Sequence, residues 1–425
     1  VAQAVEKQVQ QLMGQITKAM ENSMQQAMSQ LGTNLQNVME NAISIDVDAF
    51  ADAFQMNVSE EDLTELFLSL GSKQSASYDG NLQKLGYADF SEPSGINIYL
   101  GWYDDLETTL KVLDAAQKTG VKMITSSKDL LSVATAEEVV KAMMNHPALY
   151  AYHLKDEPEV NDLPGLGELV KKIKTIDSHH PCYINLYPNW AWGKELYSEN
   201  VKSFIEQVPV PFISFDNYPI VSINGAPSII RPDWYRNLEE ISAAAKENNK
   251  PFWAFALALS HKLDETHFYK IPTLPELRLQ VFSDLAYGAQ AIQYFTYRGL
   301  QHDDPTEVYD LVKTVNQEVQ QLAGIFLGAQ VISVSHTGSE IPEGTTALGS
   351  LPAPIKSLTT SDTGAVVSVL EKAGNQYLVV VNRDFRNVMN LSIDVDSSVS
   401  RVLKNGSTTM LLMQMICLTR EMHMF

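Results

Sequence analysis

The sequence predicts an α/β protein built around a (β/α)8 barrel of the TIM type, with an N-terminal helical region before the barrel and an antiparallel β domain after it. Over residues 96–325, seven near-continuous apolar runs alternate with amphipathic stretches. This pattern is typical of parallel strands buried on both faces and of the helices that connect them. The 425-residue chain has room for the ~250 residues that such a barrel needs. A doubly wound open sheet is the alternative, but the sequence lacks the G-x-G-x-x-G motif typical of many such sheets.

Residues 1–95 form the first predicted region, which is rich in methionine and glutamine and has no aromatic residue before Phe50. Apolar residues from Val5 to Met28 recur at steps of three and four, which indicates a long amphipathic helix. Its methionine-rich face has two interpretations. We favour an ordinary helix–helix seam over an adaptable surface for a partner.

The barrel is predicted over residues 96–325, where helix signals separate the strands. Strands are predicted at residues 96–103, 121–127, 148–154, 181–187, 211–218, 250–259 and 291–297. A helix starts after Asp105 and ends at Gly120. Thr135 and Glu138 fit a capping box at the start of another helix.

The β domain is predicted over residues 326–406, where apolar and polar residues alternate with period two. Its strands are predicted within residues 331–338, 365–384 and 388–403, with a hairpin turn at residues 373–375. The methionine-rich tail at residues 407–425 matches neither pattern, so it is either a last strand or a disordered end.

The composition excludes several classes of protein. With 31 Lys and Arg against 51 Asp and Glu, the net charge is −20, which argues against binding to nucleic acid or to an anionic membrane. Cys182 and Cys417 are too few for a disulfide framework, and neither lies in a metal-ligand motif, so no metal and no cofactor are expected. There is no run of apolar residues long enough to span a bilayer. The first residues show no signal-peptide pattern, which predicts a processed chain or an intracellular one.

Two adjacent acids, Asp156 and Glu157, follow the predicted strand at residues 148–154, and Pro158 ends the pairing of that strand. Active sites of TIM barrels lie at the C-terminal ends of the strands. A carboxyl group beside another carboxylate and near apolar walls has a raised pKa, so Glu157 is predicted to hold a proton near neutral pH and donate it to a leaving oxygen. The alternative is a helix-capping or ion-pairing acid pair in a surface loop.

Aromatic and amide side chains follow several strands and would suit a sugar. A sugar stacks its C–H face on aromatic rings, while its hydroxyls need fixed donors and acceptors. The predicted sugar-binding residues are Trp102, Tyr187, Asn189, Trp190, Asn217, Tyr218, Trp253, His261 and Tyr297. Asp216, at the end of the strand that precedes Asn217, is a further candidate acid.

Residues from about 100 to 405 carry a set of motifs that is specific only in combination. The motifs are Gly101–Asp105, His146–Leu149, Lys155–Pro158, Pro181–Asn185, Phe215–Pro219, Phe252–Phe255, Tyr287–Gln290 and Gln293–Tyr297. Together they resemble bacterial TIM-barrel glycoside hydrolases of the β-galactosidase-like clan, which carry a C-terminal β-sandwich. The resemblance implies an oligosaccharide or polysaccharide substrate, a secreted or cell-surface location, and Glu157 as general acid/base at the end of strand four.

The chain departs from that clan at two places. The strand at residues 96–103 corresponds to strand two, so the first strand must lie upstream, in a segment that does not look like one. The clan's nucleophile is a glutamate that ends strand seven, but residues 252–259 contain no acid, and Asp264 and Glu265 follow only later in the loop. The second carboxylate is therefore expected to be Asp216 or Asp156.

Residues 54–99 resemble an extracytoplasmic segment of bacterial ABC-transporter permeases. This second resemblance implies a fused gene with its junction near residues 99–101, and the tail after Ser407 fits a second scar of the same kind.

Three functions follow from these patterns. The favoured hypothesis is a glycoside hydrolase. The second is a non-catalytic carbohydrate-binding barrel derived from such an enzyme, because strand seven lacks an acid. The third, an interaction module, concerns residues 1–95 alone.

Overall fold

The computed structural model describes residues 95–295 and 307–397, together with the backbone of residues 413–418. The predicted helices of residues 1–94 and the permease-like sequence within them lie outside the described residues. Tyr297 and most of the tail after residue 406 do so as well. The predictions made for these parts of the chain stay predictions.

Seven parallel strands form the central sheet, and they are arranged in chain order. They are β1 (Ile98–Tyr103), β2 (Lys122–Ser127), β3 (Leu149–Asp156), β4 (Cys182–Leu186), β5 (Ile213–Phe215), β8 (Phe252–Leu257) and β11 (Ala291–Phe295). Each overlaps one of the seven predicted apolar runs, so the predicted barrel strands are confirmed. Among the described residues, no pairing joins β1 to β11, which are the two edges of the sheet.

The sheet curls into a barrel wall, as a hydrogen bond across its inner face shows. Tyr183 lies on β4 and Gln293 on β11, with β5 and β8 between them. In a flat sheet three strand spacings would separate these strands by about 14 Å. The Tyr183 hydroxyl nevertheless donates to Gln293 Oε1 across 2.7 Å. The described strands therefore form a TIM-type barrel with side chains that meet inside it.

Seven α-helices are described. They are α1 (Leu106–Thr119), α2 (Ala136–Met143), α3 (Leu163–Ile176), α4 (Tyr197–Gln207), α5 (Trp234–Glu247), α6 (Leu274–Ala286) and α7 (Glu307–Phe326). Helix α6 was not predicted because every residue from Glu276 to Ala286 is buried, which leaves no amphipathic pattern to detect. None of the described helices is long and apolar enough to cross a membrane.

The predicted helix caps agree with the structure at α1 and disagree with it at α2. Asp105 accepts a 2.7 Å hydrogen bond from the backbone N–H of Thr108, and Gly120 ends α1 with a left-handed φ of 74°. Both ends of α1 were predicted. The capping box predicted at Thr135 is wrong, because the Thr135 hydroxyl donates to the backbone oxygen of Asp129 instead of accepting from the helix.

A small antiparallel sheet is built from the segments that follow β5 and β8, and it was not predicted. It contains β6 (Ile220–Ile223), β7 (Ile229–Ile230), β9 (His261–Lys262) and β10 (His267–Tyr269), in the order β7-β6-β10-β9. Because both segments leave the C-terminal ends of barrel strands, this sheet lies at the mouth of the barrel. Its strands are two to four residues long, too short for a period-two pattern to stand out.

The antiparallel β domain is confirmed and consists of two sheets. One contains β12 (Gln330–His336), β14 (Ala365–Lys372), β15 (Asn375–Asn382) and β17 (Met413–Leu418), and the other contains β13 (Ile355–Thr360) and β16 (Leu391–Val395). The predicted hairpin turn joins β14 to β15 through Ala373 and Gly374, whose φ values are 50° and 76°. Strand β17 pairs with β15, so part of the tail is a last strand.

Strand β14 is buried on both faces, which attaches the β domain to the barrel. Val366 and Leu370 belong to the large core that includes the buried face of α6. Val367 and Val369 point the other way, into a second core shared with Leu358 of β13. The β domain therefore packs on the same helix that closes the outside of the barrel next to β8.

Candidate active site

Three acidic residues contact one asparagine at the C-terminal ends of the barrel strands, two through their carboxyl groups and one through its backbone. Asp156 ends β3, Glu157 follows it, and Asp216 follows β5. Between these strands lies Asn185 of β4, which is 4% exposed. Its Nδ2 donates to Asp156 Oδ1 at 3.3 Å and to Asp216 Oδ1 at 2.8 Å. Its backbone oxygen accepts the N–H of Glu157 at 2.9 Å.

Glu157 has a backbone conformation that a side chain rarely adopts. Its φ is +48°, in the left-handed region that favours glycine. A non-glycine residue there costs of order 1–3 kcal/mol, and such residues cluster at functional sites. Asp156 ends the regular strand, and the change of backbone direction at Glu157 separates the two neighbouring carboxyl groups. The strand end thus presents two acids in different directions.

Loss of solvent contact shifts the titration of two of the acids. This desolvation, followed by the negative charges of Asp156 and Glu159, raises the pKa of Glu157 to about 7. Burial, followed by the charges of Glu157 and Asp156, raises the pKa of Asp216 to about 8, although hydrogen bonds from Asn185 and Tyr218 oppose that rise. The charge of Glu157 thus makes Asp216 harder to ionise, and the charge of Asp156 does the same to Glu157, so the group holds a proton near neutral pH.

Asp156 is exposed to water although its carboxyl group lies inside a cavity of the protein. Its side chain lines a cavity of about 250 Å³ inside the curled sheet. Desolvation raises the pKa of Asp156, and the hydrogen bond from Asn185 and the charge of Lys155 oppose that rise. Asp156 is nevertheless exposed, because the cavity is open to solvent. Glu157 is not among the residues that line this cavity.

The cavity is mainly apolar and aromatic, with a few polar groups. Its lining includes Leu100, Trp102, Ile124, His153, Tyr183, Trp253, Phe255, Ile292, Gln293 and Tyr294. The Trp102 side chain is 57% exposed and stacks on His153 with ring centroids 4.9 Å apart. His153 therefore faces the inside of the barrel, where burial lowers its pKa to about 4. Trp102 offers a free aromatic face at the end of β1.

Two predicted aromatic residues lie beside the carboxyl groups. The Tyr218 hydroxyl is hydrogen-bonded to Asp216, and its ring stacks on Phe295 at 5.5 Å. His261 contacts the edge of the Tyr218 ring at 6.2 Å. Desolvation, followed by the charge of Glu157, raises the pKa of Tyr187, and its hydroxyl donates to Glu159 at 3.3 Å. These side chains flank the acids at the mouth.

The structure places the two predicted asparagines away from the mouth. Asn189 is fully buried, and Asn217 is 3% exposed. Both contact Asn237 of α5, whose Oδ1 accepts the backbone N–H of Asn189 at 3.0 Å and Nδ2 of Asn217 at 2.9 Å. One helix side chain therefore holds the segments that follow β4 and β5.

The predicted tryptophans beyond Trp102 also make contacts of their own. Trp190 lies under the guanidinium of Arg231, which is 4.6 Å from the ring centroid. Trp253 stacks on Phe212 at 4.1 Å, near the start of β8 and so toward the opposite end of the barrel from the acids. A position near a strand end in the sequence did not reveal whether the side chain points inward.

The alternative acids after β8 lie in the turn between β9 and β10. Asp264 is hydrogen-bonded by Thr266 and His267 within its own loop, which lowers its pKa. The Glu265 side chain is 97% exposed. Among the described residues, no group of three or more His, Cys, Asp or Glu is placed to hold a metal ion.

Sequence reasoning missed the polar side chains beneath the acids, which are Tyr183, Asn185, Ser214 and Gln293. Tyr183 and Asn185 are two residues apart on β4, so both point into the barrel. The available signal was this alternation of polar residues in a strand that is otherwise apolar. Fold and site together define a TIM-type barrel whose strand ends bring three acidic residues to one asparagine.

No protein-family model matches the chain, and no curated protein matches it in sequence. In structure it is similar to a β-galactosidase from the psychrophilic Marinomonas ef1, at 11% identity and a TM-score of 0.39, over 52% of this chain and 53% of that one. It is similar to an endoglucanase from Pseudomonas stutzeri, at 13% identity and a TM-score of 0.38, over 52% and 82% of the two chains. It is also similar to a β-1,4-mannanase from the sea hare Aplysia kurodai, at 13% identity and a TM-score of 0.33, over 52% and 74%. The match spans about half of the Marinomonas enzyme.

Proposed function

We propose that the protein is a glycoside hydrolase that cleaves a glycosidic bond of an oligosaccharide, with Glu157 as general acid/base and Asp216 as the second carboxylate. The observation that carries this proposal is the placement of these acids at the ends of separate strands, where burial raises the pKa of both and the charge of Glu157 adds to the rise at Asp216. Glycoside hydrolysis uses two carboxyl groups on either side of the scissile bond, one protonated and one ionised.

The shared charge explains how the two roles separate. Because the carboxyl groups interact, they titrate as a coupled group. Both groups stay buried after the first proton is lost. Asp216 has the higher pKa of the two, so the proposed roles require Glu157 to keep the proton when the substrate binds. The repulsion that opposes ionisation of Asp216 is then removed, and hydrogen bonds from Asn185 and Tyr218 stabilise its anion. Glu157 donates its proton to the leaving oxygen, while Asp216 acts on the opposite side of the sugar. Asp156 supplies the charge that helps to keep Glu157 protonated.

The test is turnover of a panel of methyl glycosides and unmodified oligosaccharides, whose leaving groups are weak acids and need the proton, by the full-length protein and its Glu157→Gln variant. General-acid catalysis contributes roughly 10²–10⁴-fold, so the variant should lose at least 10²-fold in kcat/KM on the substrate that the protein cleaves. Glu265→Gln, a change at an exposed acid of the same rim, is the matched control and should keep full turnover. Equal turnover by the Glu157→Gln variant and the unaltered protein would remove the assignment.

A second candidate is a carbohydrate-binding barrel without catalysis. It is favoured by the acid-free sequence of β8, by the hydrogen bond that holds Asp264 within its own loop, and by the exposure of Glu265. Titration calorimetry distinguishes the two. Binding of an oligosaccharide that stays uncleaved across the whole panel would support the binding barrel over the hydrolase.

A further inference from the structure

A closed set of hydrogen bonds lies inside the barrel beneath the carboxyl groups. The Tyr183 hydroxyl donates to Gln293 Oε1 at 2.7 Å, and Gln293 Nε2 donates to Ser214 Oγ at 2.9 Å. Ser214 Oγ donates to Asn185 Oδ1 at 2.9 Å. A 3.0 Å contact between Tyr183 and Ser214 closes the triangle. Tyr183 and Ser214 are fully buried, so water does not compete for these groups.

The direction of each bond follows from the protons available. Tyr183 has one hydroxyl proton, which goes to the oxygen of Gln293 and leaves the Gln293 amide nitrogen facing Ser214. Ser214 accepts there, so its own single proton is directed at the oxygen of Asn185. The Asn185 oxygen is therefore occupied, and both of its N–H groups face the acids.

The opposite orientation of the Asn185 amide would be unfavourable on both sides. It would place the amide oxygen against the carboxylate oxygens of Asp156 and Asp216, where two acceptors meet. It would also turn the N–H groups toward Ser214, whose proton would then lose its acceptor. A buried polar group without a partner costs about 1–3 kcal/mol.

We propose that Ser214, Tyr183 and Gln293 are positioning residues, which lock the Asn185 amide so that one N–H binds Asp156 and the other binds Asp216. The hydrogen-bond chain thereby fixes the two aspartates in place from an edge strand of the barrel. The effect of this hydrogen-bond chain on catalysis rests on the proposed glycosidase function, but the positioning of Asn185 does not.

Several charged and titratable groups act on the two aspartates besides Asn185. Glu157, Asp156 and Tyr218 act on Asp216 from strand ends, and Tyr183 acts on it from within β4. Lys155 acts on Asp156 from the neighbouring position in β3. These groups are retained in a Ser214→Ala variant, so a change in titration reports the amide.

The test is a titration of Asp156 and Asp216 in full-length protein labelled with ¹³C at the aspartate carboxyl carbons, followed by NMR. Asp156→Asn and Asp216→Asn variants assign the two signals. Ser214→Ala frees the Asn185 amide to rotate, so both aspartates should titrate at higher pH than in the unaltered protein, because the charged form loses a donor. Tyr183→Phe keeps the ring and should move the titrations in the same direction.

A double-mutant cycle tests whether Ser214 acts through Asn185. Asn185→Ala should raise both titrations, and Ser214→Ala added to it should raise them no further. Ser368→Ala removes a fully buried serine hydroxyl from the β domain and should leave both titrations unchanged. Unchanged titrations in the Ser214→Ala variant, or full additivity with Asn185→Ala, would overturn the proposal.

Turnover separates this inference from the proposed function. If the protein hydrolyses a glycoside, Ser214→Ala should lower kcat roughly tenfold, in line with the loss of one hydrogen bond to a charged group. If the protein cleaves nothing, the proposed function fails, while the titrations still decide the role of Ser214.

Discussion

The backbone N–H of Glu157 donates to the backbone oxygen of Asn185 across 2.9 Å, which joins the ends of two neighbouring barrel strands. The same asparagine binds the other two acids through its side chain. Because Glu157 is held there with a φ of +48°, the chain gives up some stability to present this carboxyl group.

The strain at Glu157 predicts a difference between two variants that both lack the acid. Glu157→Gly relieves the left-handed conformation, whereas Glu157→Ala keeps a Cβ in it, so the glycine variant should be more stable by about 1–2 kcal/mol. Urea unfolding of the two variants measures this difference. An alanine variant as stable as the glycine variant would show that the site imposes no strain.

The raised pKa values predict that the fold becomes less stable as the pH rises. Folding raises the pKa of Glu157 from 4.5 to about 7 and that of Asp216 from 3.8 to about 8. Between those limits the folded protein binds more protons than the unfolded chain, so the free energy of unfolding should fall from about pH 5 to about pH 8. Urea unfolding at both ends of this range measures the fall, and Asp216→Asn should reduce it while Glu265→Gln should not. A fall of equal size in the Asp216→Asn variant would contradict the assignment.

Asn237 should couple stability to substrate binding. Its Oδ1 is the acceptor for both Asn189 and Asn217, so Asn237→Ala leaves two buried donors without a partner and should cost about 2 kcal/mol or more. The segments it holds carry Tyr187 and Tyr218, so KM for a glycoside should rise as well. Asn248→Ala, at the exposed end of α5, is the control. An unchanged KM with lowered stability would limit Asn237 to a structural role.

Trp102 should contribute to sugar binding and little to folding. Its ring is 57% exposed and rests on His153, so truncation opens no cavity in the core. A lost aromatic contact of about 1 kcal/mol corresponds to a roughly fivefold weaker affinity. Calorimetry with the oligosaccharide bound by the unaltered protein, repeated for Trp102→Ala, measures the difference. Identical affinities would exclude Trp102 from the binding surface.

The barrel could be predicted because its strands are buried on both faces and its helices between Asp105 and Phe326 mostly have one apolar side. Helix α6 could not, since it is enclosed by the barrel and the β domain and shows no such side. The short strands at the mouth gave no pattern either.

For the site, sequence position located the acids but not the amides. Asp156, Glu157 and Asp216 follow strands, and strand ends meet at one edge of a parallel sheet. Asn189 and Asn217 follow strands too, yet the side chain of Asn189 donates to the backbone oxygen of Asp233, just before α5, and that of Asn217 donates to Asn237 on α5. Asn185 lies inside β4, between the two strands that carry the acids, and a search of strand ends does not cover that position.

The central claim is that Glu157 donates a proton to a leaving oxygen. The most direct test is kcat/KM of the unaltered protein and of Glu157→Gln on a series of aryl glycosides whose phenols range from strongly to weakly acidic. A weakly acidic phenol needs the proton and a strongly acidic one does not, so the loss in Glu157→Gln should grow along the series to 10²-fold or more. A loss of the same size for every phenol, or no loss, would contradict the role of Glu157.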